Sequence, residues 1–179
     1  GNLGFAFVEV RPRVNRNRKE KIVDITFDIR EGPRVFVERI DISGNVRTID
    51  KVIRREFQIV EGDAFNAAKL RRSRQRIQNL DFFNKVNIQR LPGSTPDKTI
   101  VKVEIEEKST GSLSFGVGFS TDSGALLDLG LRESNLLGRG QALSFNGTLA
   151  AEKSTVNISF TEPYFLDRDI AAGFDLYHV

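Results

Sequence analysis

The sequence predicts an α+β domain with the element order β-α-α-β-β, followed by antiparallel transmembrane β-barrel strands of a truncated barrel. Two observations divide the chain near Lys108. Helical periodicity occurs before this residue and not after it. The charge balance also changes, because residues 1–108 carry 23 Lys and Arg against 16 Asp and Glu, whereas residues 109–179 carry 4 against 8. The two parts are therefore expected to lie in different surroundings.

The composition excludes several classes of protein. The chain has no cysteine, which rules out a disulfide framework, a thiol nucleophile and a cysteine-based zinc site. No run of 18 apolar residues predicts a membrane helix, and the first residues do not resemble a signal peptide. Methionine is also absent. We expect this chain to be a piece of a longer precursor.

No catalytic or metal site is predicted, and no cofactor is expected. The single histidine, His178, has no positioned partner for acid-base work. Asp167 and Asp169 flank Arg168 in a predicted turn, but no octahedral oxygen set accompanies them. Ser123 precedes a glycine without a nucleophile elbow or a candidate base. We therefore expect a protein that is not an enzyme.

Residues 1–32 are expected to be the C-terminal strands of a preceding domain. After a charged loop at 15–21, apolar residues alternate with polar ones at Val23, Ile25, Phe27 and Ile29, which predicts a hairpin with one buried face. Isolated hairpins are only marginally stable, so this one needs a partner. Glu31-Gly32-Pro33 is the expected hinge, since Gly and Pro interrupt both strands and helices.

Residues 33–108 read as one complete domain. Its first strand changes phase between Val37 and Ile40, which predicts a β-bulge near Glu38-Arg39. Two further strands are predicted around Val86 and Val101. With two helices between the first and second strands, the domain should place its helices on one face of a sheet.

The two helices of this domain have recognisable apolar faces. Thr48 is expected to cap the first helix, whose apolar side is formed by Ile49, Val52, Ile53 and Phe57. The second helix is expected to open at Asn66 and to direct three apolar side chains inward, namely Leu70, Ile77 and Leu80.

The second helix also carries four arginines that are predicted to point outward: Arg71, Arg72, Arg74 and Arg76. The commonest role of such a run is a solvated face, and lipid head groups or a partner protein are the alternatives. Nucleic acid is not expected, because no aromatic residues are interleaved for base stacking. A salt titration would separate these roles, since nucleic-acid binding weakens steeply as salt rises.

Residues 109–179 read as five strands joined by turns, beginning with Gly111 to Ser120. In this first strand Leu113, Phe115, Val117 and Phe119 alternate with small or polar residues, and no charge occurs between Lys108 and Asp122. An ordinary sandwich strand would also explain this stretch by itself. Turns are predicted at 121–124, 133–140, 152–154 and 163–169. Five successive strands of eight to ten residues favour a membrane barrel over a sandwich.

Several motifs carry a resemblance to a known family. Residues 34–107 resemble a POTRA domain through Ile42-Ser-Gly-Asn45, Val60-Glu-Gly-Asp63 and Leu80-Asp-Phe-Phe83. The stretch from Thr110 to Ser120, with Asn135-Leu-Leu-Gly-Arg-Gly140 and Glu162-Pro-Tyr-Phe165, is similar to the start of the barrel in the BamA family. Most POTRA domains, most of the barrel and an inward-folded loop of that family have no counterpart in this chain.

The resemblance implies assembly and insertion of β-barrel proteins in the outer membrane of a Gram-negative cell, with POTRA domains in the periplasm. Implied partners are nascent barrel proteins, accessory lipoproteins and membrane lipid. The alternatives are a polypeptide-translocating relative of the two-partner secretion type and a structural porin-like barrel with a soluble adaptor. Each would be separated from the first by the downstream sequence.

Two sets of site residues follow from this resemblance. The family's lipoprotein contact corresponds to Arg54, Arg55 and Glu61. Strand-edge pairing with a client is expected along the first barrel strand, at Leu113, Ser114, Phe115, Gly116, Val117, Gly118, Phe119 and Ser120, because an open edge offers unpaired backbone donors and acceptors.

Overall fold

The computed structural model describes residues 8–17, 22–31, 34–122, 124–151 and 153–179. The expected hinge at Gly32 and Pro33 and Ser123 lie outside these residues, as does part of the charged loop at 15–21. No helix among the described residues has the length and apolar content needed to cross a membrane. The elements, in chain order, are β1 (Val8–Asn17), β2 (Ile22–Glu31), β3 (Phe36–Ser43), α1 (Asp50–Arg54), α2 (Ala67–Asn79), β4 (Phe83–Pro92), β5 (Lys98–Glu107), β6 (Gly111–Ser120), β7 (Gly124–Leu136), β8 (Gln141–Ala150), β9 (Thr155–Glu162), a 3-10 turn (Phe165–Asp167) and β10 (Ala172–His178).

The first of two compact units takes in residues 1–43, 56–77 and 86–104. In it β1 and β2 form the predicted antiparallel hairpin, with Val10 opposite Ile29 and Val14 opposite Ile25. The predicted burial of its apolar face is not observed within the described residues, because the apolar side chains of the hairpin are 50–61% exposed. The domain that follows has a three-stranded sheet in the order β3-β5-β4, in which β3 runs parallel to β5. The predicted bulge is confirmed, because the register shifts between Val37 and Arg39.

The core of this unit is apolar and closely follows the strand alternation. Helix α2 begins where it was predicted, since Asn66 Oδ1 accepts hydrogen bonds from the backbone N–H groups of Ala68 and Lys69. Its inward face differs from the prediction, because Ile77 is buried whereas Leu70 and Leu80 are only half-buried. The buried apolar side chains of this unit are Val35, Val37, Ile40, Ile59, Phe65, Ile77, Val86, Val101 and Val103.

A buried serine, Ser73, lies on the inward face of α2 beside Ile77. The Ser73 hydroxyl accepts a hydrogen bond from the Gln58 N–H (2.8 Å) and donates one to the Lys69 carbonyl (2.9 Å). The helix face thus satisfies a backbone donor that a leucine would have left unpaired.

The second unit takes in residues 44–55, 78–85 and 105–179. Its helix α1 spans only Asp50–Arg54, so Phe57 lies beyond the helix end. The predicted cap at Thr48 is wrong: Ile49 holds the N-cap position without a side-chain hydrogen bond. The Thr48 hydroxyl instead accepts a hydrogen bond from Asn135 Nδ2 (2.8 Å), a residue 87 positions away.

The predicted five strands are confirmed as one antiparallel sheet in the order β10-β9-β8-β7-β6. The turn predicted at 133–140 is shorter, because β7 continues to Leu136 through a register shift after Glu133. The pairing aligns side chains in rows across the sheet, such as Leu113, Leu131, Phe145, Ile158 and Leu176. One face of the sheet is therefore largely apolar, and the other carries mostly Ser, Gly, Asn, Thr and Asp.

Two turns of this sheet hold a leucine in the left-handed backbone region. Leu137 has φ 53° and Leu166 has φ 54°. This conformation costs a residue with a Cβ roughly 1–2 kcal/mol, and glycine adopts it freely. Backbone preference therefore does not explain why a leucine occupies this position in either turn.

We predict that Ser73→Ala destabilises the α+β domain by about 1–3 kcal/mol, because the Gln58 N–H loses its acceptor in a buried place. Chemical denaturation of a fragment covering residues 34–108, which we expect to unfold in one cooperative transition, would measure this. Arg72→Ala, on the exposed face of the same helix, is the control and should change stability by less than about 0.5 kcal/mol. Equal effects of the two substitutions would contradict the prediction.

Candidate functional site

Strand β6 lies at one edge of the five-stranded sheet and pairs only with β7 among the described strands. Its apolar side chains are the most exposed large group in the sheet: Leu113, Phe115, Val117 and Phe119 are 70–81% accessible. Such side chains on a charge-free strand suit a lipid environment rather than water.

The opposite face of β6 is formed by small residues. Ser112, Ser114, Gly116 and Gly118 alternate with the apolar ones along the strand. Across the ladder, Gly130 faces Ser114 so closely that a Cβ at Gly130 would lie 2.4 Å from the Ser114 Oγ. The contact between β6 and β7 on this face therefore buries little side-chain surface.

The direction of the backbone groups of β6 follows from one hydrogen bond beside the ladder. The Ser134 N–H donates to the Thr110 carbonyl (3.1 Å), and the register then runs without a shift from Gly111 opposite Glu133 to Ser120 opposite Gly124. In an antiparallel ladder, residues bonded to the partner alternate with residues whose N–H and C=O point away.

This alternation separates the two sets of residues in β6. The backbone groups of Ser112, Ser114, Gly116, Gly118 and Ser120 face β7. Those of Leu113, Phe115, Val117 and Phe119 face the open edge. The predicted pairing strand thus presents a row of donors and acceptors on alternate residues, all of which carry side chains on the apolar face.

The turn that follows β7 is bound to the segment before α1. The buried Asn135 donates from Nδ2 to the Thr48 Oγ1 (2.8 Å), and its Oδ1 accepts the Gly140 N–H (2.7 Å). The Ile49 N–H donates to the Gly138 carbonyl (3.0 Å). One asparagine side chain therefore both closes the turn and joins it to the helix start.

Gly138 is required at its position by both conformation and space. It has φ 71°, and a Cβ there would lie 2.0 Å from the Arg47 carbonyl oxygen. No side chain fits at that distance, so the close approach of the two backbones depends on glycine.

Glu107, at the end of β5, holds the same segment from the other side. Its Oε2 accepts the Arg47 N–H (2.9 Å) and its Oε1 accepts the Thr48 N–H (2.7 Å). Burial raises the pKa of the Glu107 carboxyl, but the hydrogen bonds from Thr48 and Arg47 outweigh burial and hold that pKa below its usual value. The carboxylate is therefore the form that the junction stabilises.

A second turn of the sheet, after β9, also contacts α1. The Arg55 guanidinium lies over the Tyr164 ring at 4.0 Å from its centroid, a cation-π contact. Lys51 forms an ion pair with Asp167. The motifs at Ser43-Gly44-Asn45, Asn135 to Gly140 and Glu162 to Phe165 thus all converge around α1, because Asn45 Nδ2 also donates to the Thr48 carbonyl (3.0 Å).

We call Arg47, Thr48, Glu107, Asn135 and Gly138 the junction cluster. None of the five was predicted as a site residue. Their partners lie far apart along the chain, so periodicity does not reveal the cluster. The available signal was the turn sequence Asn135-Leu-Leu-Gly-Arg-Gly140 itself, in which a polar side chain lies close to two glycines.

The predicted lipoprotein-contact residues differ in availability. Arg54 is exposed and pairs with Asp50 one turn earlier (2.7 Å). Arg55 is half-buried against Tyr164. Glu61, in the first unit, is exposed, and its Oε1 accepts the Ile40 N–H (3.0 Å) at the bulge of β3. Their role as a partner contact stays a prediction.

The predicted basic face of α2 is narrower than its sequence suggested. Arg71, Arg72 and Arg74 are exposed. Arg76 is half-buried, and its Nε bonds the buried Glu56 carboxylate (2.9 Å). The buried Glu56 carboxylate needs a partner of opposite charge, and Arg76 supplies it. Arg76 therefore stabilises the fold and does not belong to the exposed basic face. Among the described residues no group of three or more His, Cys, Asp or Glu side chains could hold a metal ion.

Comparison with known proteins agrees with this architecture. A family model described as POTRA, surface antigen variable number repeat, matches residues 35–108, and a model of the Omp85 superfamily domain matches residues 135–179. The outer membrane protein assembly factor BamA of Nitratidesulfovibrio vulgaris is 34% identical over 176 residues, which is 98% of this chain. BamA of Neisseria meningitidis is 33% identical over 178 residues, or 99% of the chain.

A solved structure gives the same result for the fold. The crystal structure of BamA from Haemophilus ducreyi lacking POTRA domains 1–3 superposes with a TM-score of 0.86 at 30% identity, covering 99% of this chain and 34% of that one. The chain spans 22% of the length of each of the two BamA relatives.

A POTRA domain followed by strands of this superfamily defines the class of Omp85 outer-membrane proteins. Within that class, the chain is a homologue of BamA over nearly its whole length, with a POTRA domain followed by an Omp85 superfamily domain. Its strands accordingly lie in the outer membrane and its POTRA domain in the periplasm.

The junction cluster predicts a specific pH dependence. Because the folded-state pKa of Glu107 is depressed, its stabilising contribution is complete above the ordinary glutamate value of 4.5 and is lost as the pH falls through the lower folded value. Melting temperatures of the wild-type chain and of Glu107→Gln, compared in detergent between neutral and acidic pH, would measure this. The wild type should melt higher at neutral pH, and the difference should shrink below about pH 4.5. A difference that is independent of pH would contradict this role of the carboxylate.

Proposed function

We propose that this chain is part of a machine that assembles and inserts β-barrel proteins into the bacterial outer membrane, and that β6 offers its open edge to a strand of the client. The observation that carries this proposal is the row of outward-facing backbone groups on Leu113, Phe115, Val117 and Phe119. They lie on an edge strand with lipid-type side chains.

The driving force for pairing is the poor solvation of backbone groups in lipid. Each unpaired N–H or C=O in the hydrocarbon region costs several kcal/mol, so an incoming extended segment that bonds them is strongly favoured. Strand addition of this kind takes its affinity from main-chain hydrogen bonds and its register from side-chain alternation. No chemical step is needed.

The side chains of β6 also favour a seam that opens. In a closed barrel the first strand must pair with the last, and glycines at 116 and 118 lower the preference of this strand for the extended state. The small face buries little surface against a neighbour. A client strand can therefore replace the closing strand with little loss of side-chain packing.

The relatives support the proposal through the activity that their names state. Both BamA relatives are described as outer membrane protein assembly factors. Since the chain covers about a fifth of each, the activity of the whole machine is transferred here as a proposal. The fold, the strand edge and the anchored turns are the parts that this chain contributes to it.

An accessory lipoprotein is the proposed partner of the POTRA domain, with Arg54, Arg55 and Glu61 as contact residues. Arg54 and Glu61 are exposed. Arg55 is expected to act through the position of α1, because its guanidinium lies on the Tyr164 ring. The exposed Arg71, Arg72 and Arg74 of α2 are the proposed contact for a partner protein or for lipid head groups.

Proline substitution tests the strand-edge proposal directly. Val117→Pro and Phe119→Pro each remove one outward-facing donor, and proline is tolerated where the N–H faces away from the ladder. In the full-length protein, we expect both to reduce client insertion severely while the protein still folds and binds its lipoprotein. The measurement is the rate at which a model barrel protein becomes folded in vesicles containing the variant.

Matched substitutions separate the two edges of β6. Val117→Ala shortens the side chain but keeps the N–H, and it should insert clients at near wild-type rates. Gly116→Pro deletes a donor to β7, so it should lower the stability of the sheet itself. Normal insertion by both Val117→Pro and Phe119→Pro would refute pairing at this edge.

The partner proposal is tested at Glu61 with a substitution that spares its structural hydrogen bond. Glu61→Gln removes the charge but retains an Oε1 acceptor for the Ile40 N–H, so the melting temperature should stay nearly unchanged. We expect weaker co-purification of the lipoprotein. Glu61→Ala should weaken both, and unaltered lipoprotein binding in Glu61→Gln would show that the charge makes no contact.

A further inference from the structure

Two turns at one end of the five-stranded sheet expose leucines that neither backbone preference nor packing explains. Leu137 is 78% exposed and Leu166 is 74% exposed. Both are in the left-handed region, where glycine or asparagine would sit without strain. A leucine that is strained and unburied within the described chain must gain its advantage from something outside that chain.

Both turns lie just beyond the apolar face of the sheet. The last row at this end with apolar residues in three strands contains Leu143, Phe160 and Phe174, and it continues to Glu133 in β7 and Gly111 in β6. Beyond this row the strands continue to the pairs Leu136 with Gln141 and Glu162 with Ala172, after which the two turns begin. Strands advance about 3.4 Å per residue, so the leucines follow the lipid-facing surface within a few residues.

The second turn adds apolar surface to its leucine. Phe165 and Ile170 flank Leu166 and are about half exposed. The Phe165 N–H donates to the Ile170 carbonyl (2.8 Å), which closes the turn and holds the two residues together. The exposed apolar surface of Phe165, Leu166 and Ile170 is thus built into the turn itself.

Each leucine is followed two residues later by an exposed arginine, Arg139 in the first turn and Arg168 in the second. Neither guanidinium forms an ion pair among the described residues. Asp169 lies beside Arg168 and offsets its charge, whereas Arg139 has no acidic neighbour in its turn. An apolar residue with a nearby cation is the pattern that meets acyl chains and phosphate groups at a membrane interface.

We propose that the two turns are lipid anchors, in which Leu137 and Leu166 enter the acyl boundary of the periplasmic leaflet and Arg139 meets the phospholipid phosphates. The anchors hold the ends of β7 and β9 at the membrane surface. The same turns contact the two ends of α1, through the Ile49–Gly138 hydrogen bond and the Arg55–Tyr164 contact. Each turn is therefore held by α1 as well as by the leaflet.

The absence of tryptophan from the sequence allows a direct depth measurement. Leu137→Trp and Leu166→Trp each introduce one reporter into the full-length protein, in which any tryptophan outside residues 1–179 is replaced by phenylalanine, and the protein is then reconstituted in phosphatidylcholine bilayers. Lipids brominated at shallow or deep acyl positions quench by depth, and iodide quenches from water. Leu129→Trp on the apolar face is the reporter for the bilayer interior, and Val60→Trp in the POTRA domain is the reporter for water.

We expect the shallow bromines to quench both turn reporters best and iodide to quench them little. The depth of the turn reporters should lie between that of the Leu129 reporter and that of the Val60 reporter. Quenching by iodide as strong as at Val60, with Leu129 quenched by lipid, would overturn it. Protection of the turn reporters from both quenchers would also overturn it, because the leucines would then be covered by protein.

A second pair of variants distinguishes an anchor from a structural residue. Leu137→Gly and Leu166→Gly relieve the left-handed strain, so they should fold at least as well as the wild type. We expect each to lower binding to phosphatidylcholine vesicles roughly three- to tenfold, the loss for one partly buried leucine. Lower thermal stability with unchanged vesicle binding would assign the leucines a structural role instead.

Discussion

A backbone N–H or C=O in the hydrocarbon of a membrane must find a hydrogen-bond partner, and this constraint governs the second half of the chain. Strands β7, β8 and β9 meet it with a neighbour on each side. Among the described strands, β6 pairs on one side only, and the backbone groups of Leu113, Phe115, Val117 and Phe119 face the other side, where we propose that a client strand pairs. The same strand has the most lipid-suited side chains and the least bulky inner face. The strand that pairs with β7 within the sheet is thus the same strand, β6, that we propose for client pairing.

The junction cluster gives this edge a fixed base. Buried polar groups are tolerated only when they are satisfied, and the Asn135 side chain uses both its donor and its acceptor. The carboxylate of Glu107 takes up two backbone donors of the bend before α1. Together they connect helix α1 to the turn that ends β7, the direct neighbour of β6. A displacement of α1 would therefore reach β7, which pairs with the proposed client strand β6, through the hydrogen bonds of Asn135 and Gly138. The residues that these bonds join are far apart in the sequence.

Alternation with period two predicted most of the architecture, since each strand has one face that differs sharply from the other. The bulge of β3 and the Asn66 cap of α2 were also readable, because both are local. Predictions failed at Thr48, which bonds Asn135 rather than capping α1, and at β7, which continues into the predicted loop. The buried Ser73 was not predicted at all, because its partner Gln58 lies 15 residues away. The resemblance to the BamA family supplied the edge and partner residues, but not the cation-π contact of Arg55 or the ion pair that engages Arg76. Single-residue patterns carry no information on such pairings.

Disulfide cross-linking would show whether clients begin to fold on β6, and residues 1–179 contain no cysteine of their own. Single cysteines placed in turn along residues 113 to 120 of the full-length protein would be paired with single cysteines along the terminal strand of a stalled client. Strand pairing between β6 and the client predicts one register, in which each step along β6 moves the cross-linked client position by one residue. Cross-links confined to the POTRA domain, or cross-links at β6 without a consistent register, would contradict it.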